Sequence, residues 1–331
     1  GMTGLLGLPS AFQSMHESEV LLLLGTDFPY SDFMPVKNKI IQIDTAPEKL
    51  GRRAKLDMGL CGNIKDTLLA LLPHIKQQSD NTFLTKQLEE YSNVKKQLNN
   101  YVDDAGKIDC IHPEFVASRI DALSTQDAIY TVDTGMTCVW AARYLTATGK
   151  RTLLGSFNHG SMANAMPQSI GAALACPDRQ VIAMCGDGGI SMMLGDIMTI
   201  VQYKLPVKLI VFNNHSLGMV KLEMEVSGLP DWQTTMVNPD FSKIAEAMGM
   251  KAITVNDPTK VDEALLQAFS YDGPMLLNVI TDPNALAMPP KITFEQMKGM
   301  ATSMTKLMLN GRMEEVWKTI ESNKKHMKDI L

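Results

Sequence analysis

Short apolar runs alternate along this chain with longer stretches in which apolar residues recur every three or four positions. The runs at 20–24, 39–43, 128–132, 181–184, 207–212, 252–255 and 275–280 have the length of buried strands, and most are followed at once by Gly, Asp or Asn. Helical spacing fills 62–72, where Ile64, Leu68, Leu69 and Leu72 share a face ahead of Pro73, and then 84–101, 163–175, 190–202 and 259–269. Another helix is expected to start at Asn238-Pro239-Asp240, with Pro239 at its first position, and to stop at Gly249. Strands separated by helices of this length predict an α/β fold with a doubly wound parallel sheet.

The pattern changes twice. Residues 81–108 are polar, with alternating charge along the helix at 84–101 and a turn at Asp103-Asp104-Ala105-Gly106, so a linker or surface helix is expected there. After 290, Phe294, Met297, Met300, Met304 and Met308 place an apolar stripe on one helix, and Asn310-Gly311 breaks it. A second helix at 312–328 carries Met313, Val316, Trp317 and Ile320 on one face and Lys318, Lys324, Lys325 and Lys328 elsewhere. The expected organisation is a domain at 1–80, a linker at 81–108, a larger domain at 109–290 and a helical C-terminal tail at 291–331. Such a tail suits two positions, docked on its own domain or lying on an anionic membrane surface.

Composition narrows the class without deciding it. With 331 residues, 45% of them hydrophobic, the chain can bury a sizeable core, and a net charge of −5 gives no reason to expect nucleic acid. Five cysteines without metal-ligand spacing suit a reducing compartment, and no apolar run approaches bilayer length. A cytoplasmic location is expected, with the tail allowing contact with the inner face of the cell membrane. The 24 methionines read as adaptable core filler.

Candidate chemistry concentrates at the ends of two of the expected strands. Gly186-Asp187-Gly188 follows one, and Asn213-Asn214 follows the next after twenty-four intervening residues. Carboxyl ends of parallel strands are where open α/β sheets bind ligands, so Asp187 and Asn214 are expected to converge on one crevice. A carboxylate, an amide oxygen and a nearby carbonyl such as that of Ser216 are three hard ligands of the kind Mg²⁺ takes while also holding phosphate oxygens. Gly188 and Gly189 would let the backbone approach that phosphate. The plain alternative is a Gly-rich turn with an Asn pair capping a helix. In the first domain, Gly25 after one strand and Asp44 after the next match a mononucleotide-binding half, although no GxGxxG is present and an ordinary strand-loop-strand reads equally well.

The GDG and NN layout resembles the thiamine-diphosphate signature of the decarboxylase and oxidase superfamily. More specifically, Met2-Thr3-Gly4-Leu5, Gly25-Thr26-Asp27-Phe28-Pro29-Tyr30, Ile41-Gln42-Ile43-Asp44, Val139-Trp140-Ala141-Ala142-Arg143-Tyr144 and the 155–168 segment resemble its pyruvate oxidase and quinone-linked pyruvate dehydrogenase branch. That family has three α/β domains, and this chain resembles the later part of the second and all of the third. The resemblance therefore implies a partial second α/β domain at 1–80, with Thr3, Gly4, Leu5, Leu6, Thr26, Asp27, Phe28, Pro29, Tyr30 and Asp44 lining an FAD site. It implies thiamine diphosphate held through Mg²⁺ on Asp187, Asn214 and the Ser216 carbonyl, beside Gly188 and Gly189. Asp133, Thr134, Gly135, Gly160, Ser161, Met162, His215, Leu217, Gly218, Met219 and Val220 complete the implied cofactor site, with Met162 as the apolar prop under the thiamine. Glu223 is implied near the reacting substrate, its alternative being a solvated helix glutamate. Met219 stands where the family usually has phenylalanine between thiamine and flavin.

The implied reaction is oxidative decarboxylation of pyruvate, with electrons passing through FAD to a quinone or to oxygen, in a homo-oligomer of two or four chains. An N-terminally truncated chain is expected, lacking the domain whose glutamate activates thiamine, so the chain alone is expected to be inactive. Two alternatives stay open: a non-oxidative relative of the acetolactate synthase type, and a non-catalytic module that binds Mg²⁺-diphosphate or holds subunits together.

Overall fold

The computed structural model describes residues 2–103, 110–287 and 293–327; the expected turn at 104–106 and Lys328 lie outside the described residues. The chain divides into two compact units, one over Gly1–Lys96 and a larger one beginning at Gln97. In the smaller unit, β1 (Val20–Leu24), β2 (Lys39–Asp44) and β3 (Met58–Cys61) form a parallel sheet in that order, with α1 (Pro9–Glu17) before them and α2 (Ile64–Leu71) after. Asn63 caps α2 by accepting from the Asp66 N–H. The face expected to be covered on α2 is not, for Leu69 and Leu72 are exposed. Most of the stretch 81–108 is one helix, α3 (Thr82–Asp103).

The larger unit holds α4 (Pro113–Leu123), β4 (Ile129–Val132), α5 (Met136–Tyr144), β5 (Thr152–Gly155), α6 (Ala165–Ala175), β6 (Val181–Gly186), α7 (Asp187–Met192) and α8 (Ile197–Gln202). Then come β7 (Lys208–Asn213), α9 (Gly218–Val226), α10 (Phe241–Ala247), β8 (Lys251–Val255), α11 (Val261–Ser270), β9 (Met275–Ile280), α12 (Phe294–Leu309) and α13 (Met313–Met327). The six strands pair in parallel in the order β5-β4-β6-β7-β9-β8. Every residue of β7 and the first five of β6 are buried, as a parallel sheet covered by helices on both faces requires. The doubly wound α/β fold read from the apolar pattern is the observed one.

Four local expectations need correction. The single helix expected at 190–202 is two, α7 starting already at Asp187 and α8 following a 3₁₀ turn at Leu194–Asp196, where Gly195 weakens helix continuation. The helix after Asn238 begins at Phe241 instead, because the Asp240 side chain accepts from the Ser242 and Lys243 N–H groups and thereby caps it, leaving Pro239 outside. On α12 the methionine stripe is not the covered face: Phe294, Met297 and Met308 are exposed, while Ser303 and Leu307 are buried. The helix instead turns its 299–303–307 row toward the end of α9, because Gly299 allows a backbone approach in which a Cβ would lie 1.9 Å from the Val226 carbonyl, and Ser303 Oγ donates to the Leu229 carbonyl at 2.9 Å. On α13, Val316, Thr319 and Asn323 face inward, whereas Met313 and Trp317 are exposed. Among the described residues no helix is long and apolar enough to cross a membrane.

Candidate functional site

In this strand order the chain leaves β4 toward β5 on one side and β6 toward β7 on the other, so the carboxyl ends of β4 and β6 part at a topological switch point. A cleft of about 220 Å³ lies there, lined by the segment after β4 (Asp133 to Thr137), the segment after β6 (Gly186 to Gly189) and the segment after β7. The first turns of α5 and α9, Met136 and Gly218 to Val220, also line it, so unsatisfied backbone N–H groups of two helices belong to its wall.

Asp187 and Asn214 come together in this cleft, with Ser216 between them and α9. Asp187 is 3% exposed, and burial pushes its carboxyl above the usual range against bonds from Asn238 and from the Gly188 and His215 backbone. Its Oδ1 accepts from Gly188 N at 2.8 Å and its Oδ2 from Asn238 Nδ2 at 2.7 Å. Asn214 Oδ1 accepts from Ser216 N at 3.0 Å, an Asx turn that fixes the amide at the start of the loop into α9. The two asparagines at the end of β7 do different work, for Asn213, its last residue, is buried in the sheet while Asn214 lines the cleft. Strand alternation sends neighbouring side chains to opposite faces.

Asp133 is a brace at the same point. Its Oδ1 accepts from Ala165 N at 2.8 Å and its Oδ2 from Gly186 N at 3.1 Å, tying the end of β4 to α6 and β6, and burial raises its carboxyl to about 6. Two glycines shape the floor. A Cβ on Gly189 would lie 2.1 Å from Asp133 Oδ2, and one on Gly188 would lie 2.8 Å from Leu217 Cδ2 and 3.2 Å from Met162 Cε.

Not every expected residue arrives here. Thr134, Gly135, Met162, Leu217, Gly218, Met219 and Val220 line the cleft, whereas Gly160, Ser161 and His215 do not and are exposed. Glu223 is exposed as well and lines a second cleft of about 510 Å³ between α9 and α12, together with Glu295 and Lys306, rather than the first. Glu223 follows Met219 and Val220 by one turn on the same side of α9, which carries it along the helix axis away from the first cleft. The lining residues Pro113, Met136, Thr137, Trp140, Phe212, Thr281, Asp282 and Ala285 were not anticipated, nor was the part played by Asn238. Asn238 had a faint signal, since Asn238 and Asp240 flank Pro239 and a helix start needs only one side-chain cap.

In the smaller unit, Gly4 (φ +85°) packs against the Phe28 ring, which meets Tyr30 edge-on with centroids 5.4 Å apart. Asp27 is taken by Arg52 and Arg53 at 3.2 and 3.1 Å. Asp44 is buried at the end of β2, its Oδ1 accepting from Ala46 N at 2.9 Å, so the carboxylate caps its own turn. Leu5 and Tyr30 are exposed, Pro29 also, and Leu6 and Thr26 are half-buried.

Comparison with known proteins matches residues 133–279 to the family described as thiamine pyrophosphate enzyme, C-terminal TPP binding domain, and residues 1–71 to its central domain. The chain belongs to the thiamine pyrophosphate enzyme family. Relatives include a Bacillus subtilis protein, YdaP, whose name describes it as thiamine pyrophosphate-containing, 33% identical over 92% of this chain and 53% of its own length. A Methanococcus aeolicus protein whose name describes it as an acetolactate synthase large subunit is 31% identical over 88% of this chain and 52% of its own. A pyruvate oxidase of Lactiplantibacillus plantarum is 30% identical over 82% of this chain and 45% of its own. The chain thus spans about half the length of these curated relatives.

A thiamine pyrophosphate enzyme must hold a diphosphate, and the lining of this cleft says how. Asp133, Asp187 and Asp282 contribute to it and, among the described residues, no Lys or Arg does, so a bare diphosphate would meet acidic walls. A divalent cation between wall and phosphate reverses that sign. Asp187 and Asn214 present the hard oxygens Mg²⁺ prefers, and Gly188 and Gly189 let the backbone beside them pack tightly against Leu217, Met162 and Asp133. The residues fit the group.

Proposed function

We propose that the larger unit holds thiamine diphosphate through Mg²⁺ on Asp187, Asn214 and the Ser216 carbonyl, in a pyruvate oxidase-type enzyme that passes electrons through FAD to a quinone or oxygen. The observation that carries the reading is the meeting of a buried carboxylate and an amide at the β4/β6 switch point, in a cleft with no Lys or Arg among its described lining residues. Bound thiamine diphosphate supplies an electron sink for loss of CO₂ from a 2-keto acid, and bound FAD a two-electron acceptor. The chain's own part is to neutralise and orient. Asp187 and Asn214 fix the cation, the first turns of α5 and α9 present N–H groups to negative charge, and Met162, Leu217 and Met219 keep one side of the cleft apolar.

The FAD part rests on the resemblance of the smaller unit and on one orphaned atom there, the buried and unpartnered Thr3 Oγ1. Asp44 uses one carboxylate oxygen, Oδ1, to cap its own turn. A second reading, an acetolactate synthase-type enzyme, is favoured by relatives named for that activity at the same level of identity as the oxidase. Anaerobic addition of pyruvate to the assembled, flavin-loaded enzyme separates the two. Bleaching of the flavin absorbance supports the oxidase, and formation of 2-acetolactate without bleaching supports the synthase.

Contact of α13 with an anionic membrane surface belongs to the same proposal and is supported by exposed Met313 and Trp317 beside Lys318. Co-sedimentation with anionic liposomes is expected to be lost in a Met313→Glu, Trp317→Glu variant. Undiminished binding would remove the membrane role.

A further inference from the structure

Asn238 occupies a place that neither a helix cap nor core packing accounts for. One of its Nδ2 protons goes to Asp187 Oδ2 at 2.7 Å and the other to Asn213 Oδ1 at 2.8 Å. Asn213 Nδ2 in turn donates to Asn278 Oδ1 at 3.0 Å, and Asn278 Nδ2 to Thr254 Oγ1 at 3.3 Å, beside Ser242 Oγ at 2.7 Å. The file runs across three neighbouring strands, β7, β9 and β8, from the cleft to the start of α10.

Its direction is not free. A carboxylate only accepts, so the end at Asp187 demands a donor, and each amide passes that demand to the next. Reversing Asn238 would set its Oδ1 against both the Asp187 carboxylate and the Asn213 carbonyl oxygen. The structure keeps the donor orientation although it leaves Asn238 Oδ1 buried without a partner. An orphaned buried acceptor is costly, so holding Asp187 is the function that outweighs it.

We propose that Asn238 is a positioning residue that fixes the Asp187 carboxylate for a divalent cation. With Gly188 N on one oxygen and Asn238 on the other, the carboxylate cannot rotate, and the remaining lone pairs stay directed to the cleft. Partners of this kind, one bond behind a metal ligand, set ligand orientation, and their loss weakens metal binding about 10–100-fold.

This inference rests on the proposed cation site, and the experiment keeps the two apart. Mn²⁺ is titrated into the full chain with thiamine diphosphate and followed by its electron paramagnetic resonance signal, with thermal melts in parallel. Wild type is expected to bind; absence of binding would overturn the cation site and this role together. Asn238→Ala is expected to bind Mn²⁺ about 10–100-fold more weakly. Asn238→Ser, which offers one donor in place of two, guards against misfolding and is expected to lie between. Thr254→Val, at the far end of the file, is expected to lower the melting temperature while leaving Mn²⁺ affinity within about twofold. Wild-type affinity in both Asn238 variants, or an equal loss in Thr254→Val, would overturn the positioning role.

Discussion

A carboxylate at 3% exposure in a cleft with no Lys or Arg among its described lining residues is poorly placed to be charged unless something cationic joins it, and Asp187 is that group. The glycines around it are set by distance. Gly189→Ala would drive a Cβ into Asp133 Oδ2 and is expected to destabilise the larger unit by roughly 3 kcal/mol, read from urea unfolding. Away from the cleft, Glu225 on α9 is buried, with one oxygen unpartnered, and burial raises its carboxyl to about 7, amid Lys221, Asp231, Arg312 and Glu315. A raised carboxyl binds its proton more tightly folded than unfolded, so it costs stability as pH climbs from about 4.5 to about 7. Glu225→Gln is expected to remove that loss, which is on the order of 3 kcal/mol at pH 8, and to match wild type near pH 4. Denaturant melts at the two pH values measure the difference. At this scale Asp187 and Asn214 were legible because the spacing of GDG and NN is set by one strand-helix-strand unit. Asn238 was not, because its role depends on strand order across the sheet.

Elements were legible where one force dominates. The strand at 275–280, apolar apart from Asn278, is buried along almost its whole length, and its limits were read directly from the sequence. Helices were misjudged where close packing, not apolar periodicity, selects the face. Methionines predict the covered side of α12 only if volume is wanted there, yet the 299–303–307 row of Gly, Ser and Leu wins because α9 approaches too closely for larger side chains. The last helix is held by polar bonds as well as by Val316 of its apolar stripe. Asn323 accepts from Leu286 N at 2.9 Å and donates to the Asn284 carbonyl at 2.7 Å, and Ser322 Oγ donates to Asp282 Oδ2 at 2.6 Å. Asp282 also lines the cleft, so α13 supports part of its wall. Asn323→Ala leaves those buried groups unpaired and is expected to cost about 2 kcal/mol, with faster amide exchange along α13 and at 284–286. Unchanged exchange there would show that the helix is held by other contacts.

For the whole chain, the alternation of strand and helix announced a doubly wound sheet, and the strand order then explains why the cleft lies between β4 and β6. The proposed flavin site has only the resemblance behind it in the sequence, since no charge pattern in the smaller unit demands it. The two units give the account its sharpest test. Isothermal titration of thiamine diphosphate into the full chain, with Mg²⁺ and then with chelator, measures directly whether a cation joins wall and phosphate. Binding is expected with Mg²⁺, with loss of about a hundredfold or more in affinity on chelation, in Asp187→Ala and in Asn214→Ala. Affinity indifferent to the metal and to both substitutions would contradict the assignment of this cleft.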